Sequence, residues 1–169
     1  MKASLYAICA IVMLISGIGC TTGGGGGQGA VAGAVVTVQY VNPASFTDFS
    51  IQGRNIQSST SVFTQQVTQA LTPAMNSRFP GDRLTLRFTN IDLAGRTTTG
   101  PRSVRVVRNR TPARLSFDFV LQDRSGRAVA SGSQRLVDTS RAGSSSRSGS
   151  LSSETQMLQR WLRSLSVAR

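Results

Sequence analysis

From Arg83 onward the chain alternates. Leu84, Leu86 and Phe88 are apolar, while Arg83, Thr85, Arg87 and Thr89 are polar. This period of two predicts a strand over Arg83–Asn90 with one buried and one wet face. Ile91 and Leu93 fall out of phase, which predicts a bulge or the strand's end near Asn90. The same alternation recurs over Arg114–Gln122, with Leu115, Phe117, Phe119 and Leu121 inward. Asp123-Arg124-Ser125-Gly126 has turn chemistry, and Arg127–Val137 returns as a hairpin partner rich in small residues. Upstream, Val36, Val38 and Tyr40 share one face of a first strand, Val35–Val41, which Asn42-Pro43 stops. Between the second and third long strands, Ala94–Pro112 is polar and basic. Its short apolar patch at Val104, Val106 and Val107 suggests a brief strand inside a long loop.

Two stretches have the helical period instead. Phe63, Val67, Leu71, Ala74, Met75 and Phe79 recur at three- and four-residue steps, predicting a helix over Ser58–Phe79. Ser58, Ser59 and Thr60 are candidate N-caps. Pro73 interrupts the run, so the expectation is a kinked or divided helix. Met157, Leu158, Trp161, Leu162 and Leu165 form the stripe of a closing helix, Ser153–Val167, with Arg160 and Arg163 on its solvated side. Thr139–Ser150 is serine, glycine and arginine, the composition of a loop. The order is therefore β-α-β-β-β-α. Two helices on one face of a mainly antiparallel sheet of about four strands bury both apolar faces, giving a two-layer α+β sandwich.

The N-terminal pattern is different again. Met1-Lys2 is a positive start, and Leu5–Ile15 is an apolar run too short to span a bilayer. Residues 1–19 read as a secretory signal. Small residues lead into Cys20, which resembles the lipobox of bacterial lipoproteins, with Gly17 where leucine is usual. Residues 20–34 then form a lipidated cysteine and a glycine-rich tether, and 35–169 a single domain. Glycine at this density loses too much backbone entropy to order without packing. Thr21, following the cysteine, matches the enterobacterial pattern for the periplasmic side of the outer membrane. An ordinary signal cut near Cys20 would instead leave a soluble periplasmic protein.

Charge and composition narrow the chemistry. The net charge is +12, with seven acids and no histidine, and every cation except Lys2 is arginine. Such a balance favours anionic partners. The arginines are spread along the chain with no interleaved aromatics for base stacking, so nucleic acid is not the expected partner. Anionic envelope surfaces fit this charge better than nucleic acid does. Without histidine there is no Ser/His/Asp triad and no histidine metal ligand. Cys9 departs with the signal and Cys20 takes lipid, so no thiol remains for a disulfide or a nucleophile. No cofactor or metal is expected. Asp82 and Asp123 sit in turns, Asp118 faces outward, and Glu154 opens a helix where it complements the dipole. Asp48 and Asp92 lie in irregular stretches beside hydrophobic residues. They read as turn caps, or as the carboxylate pair of an enzyme. The five-glycine run lacks the Gly-Lys-Ser/Thr ending of a phosphate loop.

Val38–Asp48 (VQYVNPASFTD), Leu84–Gly95 (LTLRFTNIDLAG), Val104–Arg108 (VRVVR) and Met157–Leu162 (MLQRWL) together resemble the proteobacterial family catalogued as domain of unknown function 3016. Phe46-Thr47-Asp48 and Ile91-Asp92-Leu93-Ala94-Gly95 carry most of the likeness. That makes Phe46, Thr47, Asp48, Asp92 and Gly95 the candidate structural or functional motif. This chain has Thr-Pro-Ala-Arg at Thr111–Arg114 where the family usually has Trp-Pro-Arg. The resemblance brings no catalytic residues with it. The element order also resembles small outer-membrane accessory lipoproteins, an analogy of fold alone. The expected function is a non-catalytic envelope lipoprotein, held to the membrane at Cys20 and binding an envelope protein or anionic lipid. The alternatives are a soluble periplasmic binding module and an enzyme using Asp48 and Asp92.

Overall fold

The structure is a computed structural model, and it describes residues 33–51, 53–97, 105–106, 112–139 and 151–167. All of them belong to the compact unit Val31–Arg169. The order runs β1 (Val35–Tyr40), α1 (Ile56–Arg78), β2 (Arg83–Asp92), β3 (Arg96–Thr97), β4 (Arg105–Val106), β5 (Arg114–Gln122), β6 (Ala128–Val137) and α2 (Ser152–Ser164).

The α+β architecture is the one the periodicities predict. Four strands form one sheet in the order β1-β2-β5-β6. The sheet is mixed: β1 runs parallel to β2, and the other two pairs are antiparallel. A parallel neighbour requires a crossover, which α1 supplies. The inward residues Leu84, Leu86, Phe88, Leu115, Phe117 and Leu121 are all essentially inaccessible. Phe63, Val67, Leu71 and Met75 of α1 and Leu158 and Leu162 of α2 complete the same core at 0% exposure. A chain of aromatic rings crosses it, from Phe49 to Phe63, Phe88, Phe117 and Trp161, with successive centroids 5.0–5.5 Å apart. Edge-to-face and tilted contacts of this kind add to the burial itself.

The break in alternation at Asn90 is a bulge. The β2–β5 register shifts between Phe88 and Asn90. One extra residue returns Ile91 and Leu93 to the buried face, where they are 0% and 1% exposed.

Four expectations change. The cap of α1 is Asn55, whose side chain accepts from Ser58 N at 2.8 Å; Ser58, Ser59 and Thr60 lie inside the helix. Pro73 does not divide α1, which is assigned as one helix through Arg78. Pro73 and Gln69, whose carbonyl loses its donor, are both on the exposed side, where water can take that bond. Among the described residues of Ala94–Pro112 there are two short strands rather than one, and β3 and β4 pair as a separate antiparallel ribbon. α2 ends at Ser164, three residues before Val167.

The helices lie side by side and run the same way. Leu151 N donates to Gln66 Oε1, Gln159 Nε2 donates to the Ala70 carbonyl, and Arg78 meets the end of α2. Arg78 Nη1 donates to the Leu162 carbonyl at 2.7 Å and also to that of Arg163, and Nη2 reaches the Leu165 carbonyl at 3.0 Å. A guanidinium there satisfies carbonyls left over at the helix end and complements the dipole.

Candidate functional site

After β1, Asn42 adopts a left-handed conformation with φ 50°, and a single 3-10 turn at Pro43–Ser45 interrupts the strand. Phe46-Thr47-Asp48 then continues in the direction of β1, alongside the C-terminal end of β2. There Asp48 forms a single parallel bridge with Asp92. Asp48 N donates to the Ile91 carbonyl at 3.3 Å, and Leu93 N donates to the Asp48 carbonyl at 3.0 Å. The two sequence motifs, 44 positions apart (92 − 48), are thus adjacent, and their two carboxylates flank one rung.

Asn90 locks the junction. Its Oδ1 accepts from Thr47 N at 2.9 Å and lies 3.2 Å from Thr47 Oγ1, while its Nδ2 donates to Thr47 Oγ1 at 3.0 Å. Phe46 lies beneath at 8% exposure, with its ring against Phe49 and Tyr40. Burial pushes the Tyr40 hydroxyl up to about 12, and the bond to Thr64 only partly offsets this. Beyond Asp92, Leu93 and Ala94 are buried, and Ala94 N donates to Glu154 Oε1 at 3.0 Å. Glu154, only 3% exposed, therefore ties the first turn of α2 to this segment. Gly95 follows at φ 86°, a conformation that disfavours any side chain, and it begins the ribbon.

Of the residues singled out in the sequence, Phe46, Thr47, Asp48, Asp92 and Gly95 come together at one end of the sheet. Cys20 lies outside the described residues. Asn90 and Glu154 were not singled out. The bulge was visible in the alternation at Asn90, but nothing in the sequence points its side chain at Thr47. Glu154 looks like any first-turn acid.

The other acids are engaged in local structure. Asp118 takes Ser133 Oγ at 2.6 Å and Arg87 Nη2 at 2.9 Å, and these two bonds, Ser133 first, hold its carboxyl below the usual range. The Ser125 hydroxyl lowers Asp123 in the same way, and Asp123 Oδ1 also accepts from the Ser125 and Arg127 backbone. Asp138 faces Arg160 at 3.6 Å. Among the described residues, no group of three or more metal-capable side chains is assembled. No described helix is long and apolar enough to cross a membrane.

At the opposite end of the sheet lie two adjoining clefts, of about 510 and 430 Å³. They surround the start of β1, the start of β2 and the β5–β6 turn. Arg124 spans them, with Nε and Nη2 donating to the Pro80 carbonyl at 2.9 and 2.8 Å.

The family described as "Protein of unknown function (DUF3016)" matches residues 34–164. No curated protein matches the chain. Among solved structures, the chain is similar to the PelC dodecamer from Paraburkholderia phytofirmans, at 16% identity over 75% of this chain and 81% of that one, with a TM-score of 0.31. It is also similar to a minor lipoprotein from Acinetobacter baumannii, at 12% identity over 78% and 83%, with a TM-score of 0.26.

Proposed function

This chain belongs to the DUF3016 family of proteins of unknown function, and on that footing we propose that it is a non-catalytic lipoprotein of the bacterial envelope. In this reading Cys20 carries the lipid, and residues 21–34 tether the domain on the periplasmic side of the outer membrane. The domain is an accessory or binding subunit for an envelope protein or an anionic lipid. What supports binding over catalysis is the use made of the carboxylates. Asp118, Asp123, Asp138 and Glu154 are held in bonds that stabilise the fold. Asp48 joins β2 through its main chain. The arginines Arg83, Arg114 and Arg135 meanwhile stand exposed along the strands.

The anchoring step is tested in cells. Wild type incorporates labelled palmitate and fractionates with membranes, and Cys20→Ala removes both the label and the lipid anchor. A wild-type protein that takes no label and fractionates as soluble overturns the lipoprotein reading and leaves a periplasmic binding module.

A further inference from the structure

The chain joins the domain at a defined end of the sheet. Ala34 N donates to Asn76 Oδ1 at 2.7 Å, and Val35 N donates to the Asp82 carbonyl at 3.0 Å. Val35 is in register with Arg83, and Arg83 with Gln122, the last residue before the β5–β6 turn. Arg124 and Arg127 lie in that turn. Arg83, Arg124 and Arg127 therefore ring the point at which the tether arrives, and all three are exposed. The two clefts tie them together: Gly33, Val35, Arg83 and Arg124 line one, and Arg124 and Arg127 the other.

The acids at this end do little to cancel that charge outward. Asp82 is only 4% exposed. Asp123 is turned into its own loop by the Ser125 and Arg127 amides, and its ion pair with Arg127, at 3.3 Å, leaves that side chain 79% exposed. Arg124 bonds a neutral carbonyl and keeps its full charge.

Reach decides which end meets a membrane. The twelve residues from Thr21 to Ala32 amount to on the order of 20 Å of reach, by the coil dimensions of a glycine-rich sequence. The ten residues of β2 extend about 33 Å along the sheet. At its mean reach such a tether brings the near end to the bilayer, and only a nearly stretched one would bring the Asp48–Asp92 end there.

We propose that the arginine rim formed by Arg83, Arg124 and Arg127 is a docking surface for the anionic head groups of the membrane in which Cys20 is anchored. This rests on the lipoprotein reading above and goes further, because it assigns the lipid-binding surface and the domain's orientation. The Asp48–Asp92 end and the β3–β4 ribbon then point into the periplasm.

The test uses the chain from residue 20 onward carrying Cys20→Ser, so that no lipid holds it and charge alone is read. Co-flotation is measured with phosphatidylcholine vesicles and with vesicles containing phosphatidylglycerol. Binding is expected to the anionic vesicles only, and to be lost at high salt as the charges are screened. An arginine near an anionic surface is worth about fivefold in partitioning, so the variant Arg83→Gln/Arg124→Gln/Arg127→Gln should bind about fiftyfold more weakly, with the Asp123 pairing of Arg127 discounted. Arg124 also holds the Pro80 carbonyl, so the double variant Arg83→Gln/Arg127→Gln is measured beside it, with about a tenfold loss expected once the Asp123 pairing of Arg127 is discounted. The variant Arg54→Gln/Arg114→Gln, at the far end, should bind like the parent. The proposal is overturned by equal binding to neutral vesicles, by unchanged binding of the near-end variants, or by an equal loss in the far-end variant. Palmitate labelling of Cys20 is unaffected by any of these results, so failure here is distinct from failure of the anchor.

Discussion

Replacing Trp161 with alanine tests how α2 is attached to the sheet. Trp161 is 7% exposed. Its ring meets Phe117 and Phe119 edge-on, with both centroids at 5.0 Å and interplanar angles of 82° and 72°. A tryptophan so placed withdraws about 200 Å² of largely apolar surface from water, an upper bound of roughly 5 kcal/mol at about 25 cal/mol per Å². Core truncations of this size cost about 3–5 kcal/mol once the cavity is included. A domain of this kind has about 5–15 kcal/mol in total, so the variant lies near the edge of stability. At about 2–4 °C per kcal/mol, the midpoint should fall by about 6–20 °C. Far-UV circular dichroism melts and urea titrations measure the loss without relying on fluorescence, since Trp161 is the chain's one tryptophan. Trp161→Phe keeps an aromatic ring against β5 and should lose less than half as much. A Trp161→Ala protein that melts within about 2 °C of the parent would show that α2 is not packed on β5, and the two-layer arrangement would fail.

Two further substitutions probe the far end of the sheet. Glu154→Ala leaves the buried Ala94 N–H without its acceptor and should cost about 1–3 kcal/mol in chemical denaturation, whereas Glu154→Gln keeps an acceptor oxygen and should cost clearly less; equal losses would mean that this bond does not hold α2 to the segment. Asp92→Asn should melt like the parent and retain the parent's cell-envelope phenotype, and a fully stable Asp92→Asn that behaves as a null in cells would overturn the non-catalytic reading and restore the Asp48–Asp92 enzyme.

The strands and helices were legible because period is a local property. Leu84, Leu86 and Phe88, and then Leu115 to Leu121, must face one way if they are to leave water, and the chain between them does not alter that. The bulge was legible for the same reason, since Ile91 and Leu93 can reach the core only by slipping one position. The candidate motif was legible in part. Phe46-Thr47-Asp48 and Ile91-Asp92-Leu93-Ala94-Gly95 stood out as segments, but their adjacency did not.

Tertiary structure alone decided what meets what. β1 pairs parallel to β2 because α1 carries the chain back across the sheet, and no residue in β1 encodes that choice. Asp48 meets Asp92, and Arg78 meets the carbonyls of Leu162 and Leu165, across long stretches of chain. Such contacts depend on how the layers close over the core, and the polar residues that make them look like ordinary surface residues until they do. Glu154 is the clearest case. Its position predicts a first-turn acid that complements the dipole, yet packing of α2 buries it against Ala94 N–H, which takes its acceptor from this side chain. Pro73 shows the converse. Local chemistry predicts a kinked or divided helix, and the helix is not divided because the lost bond falls on the face toward water.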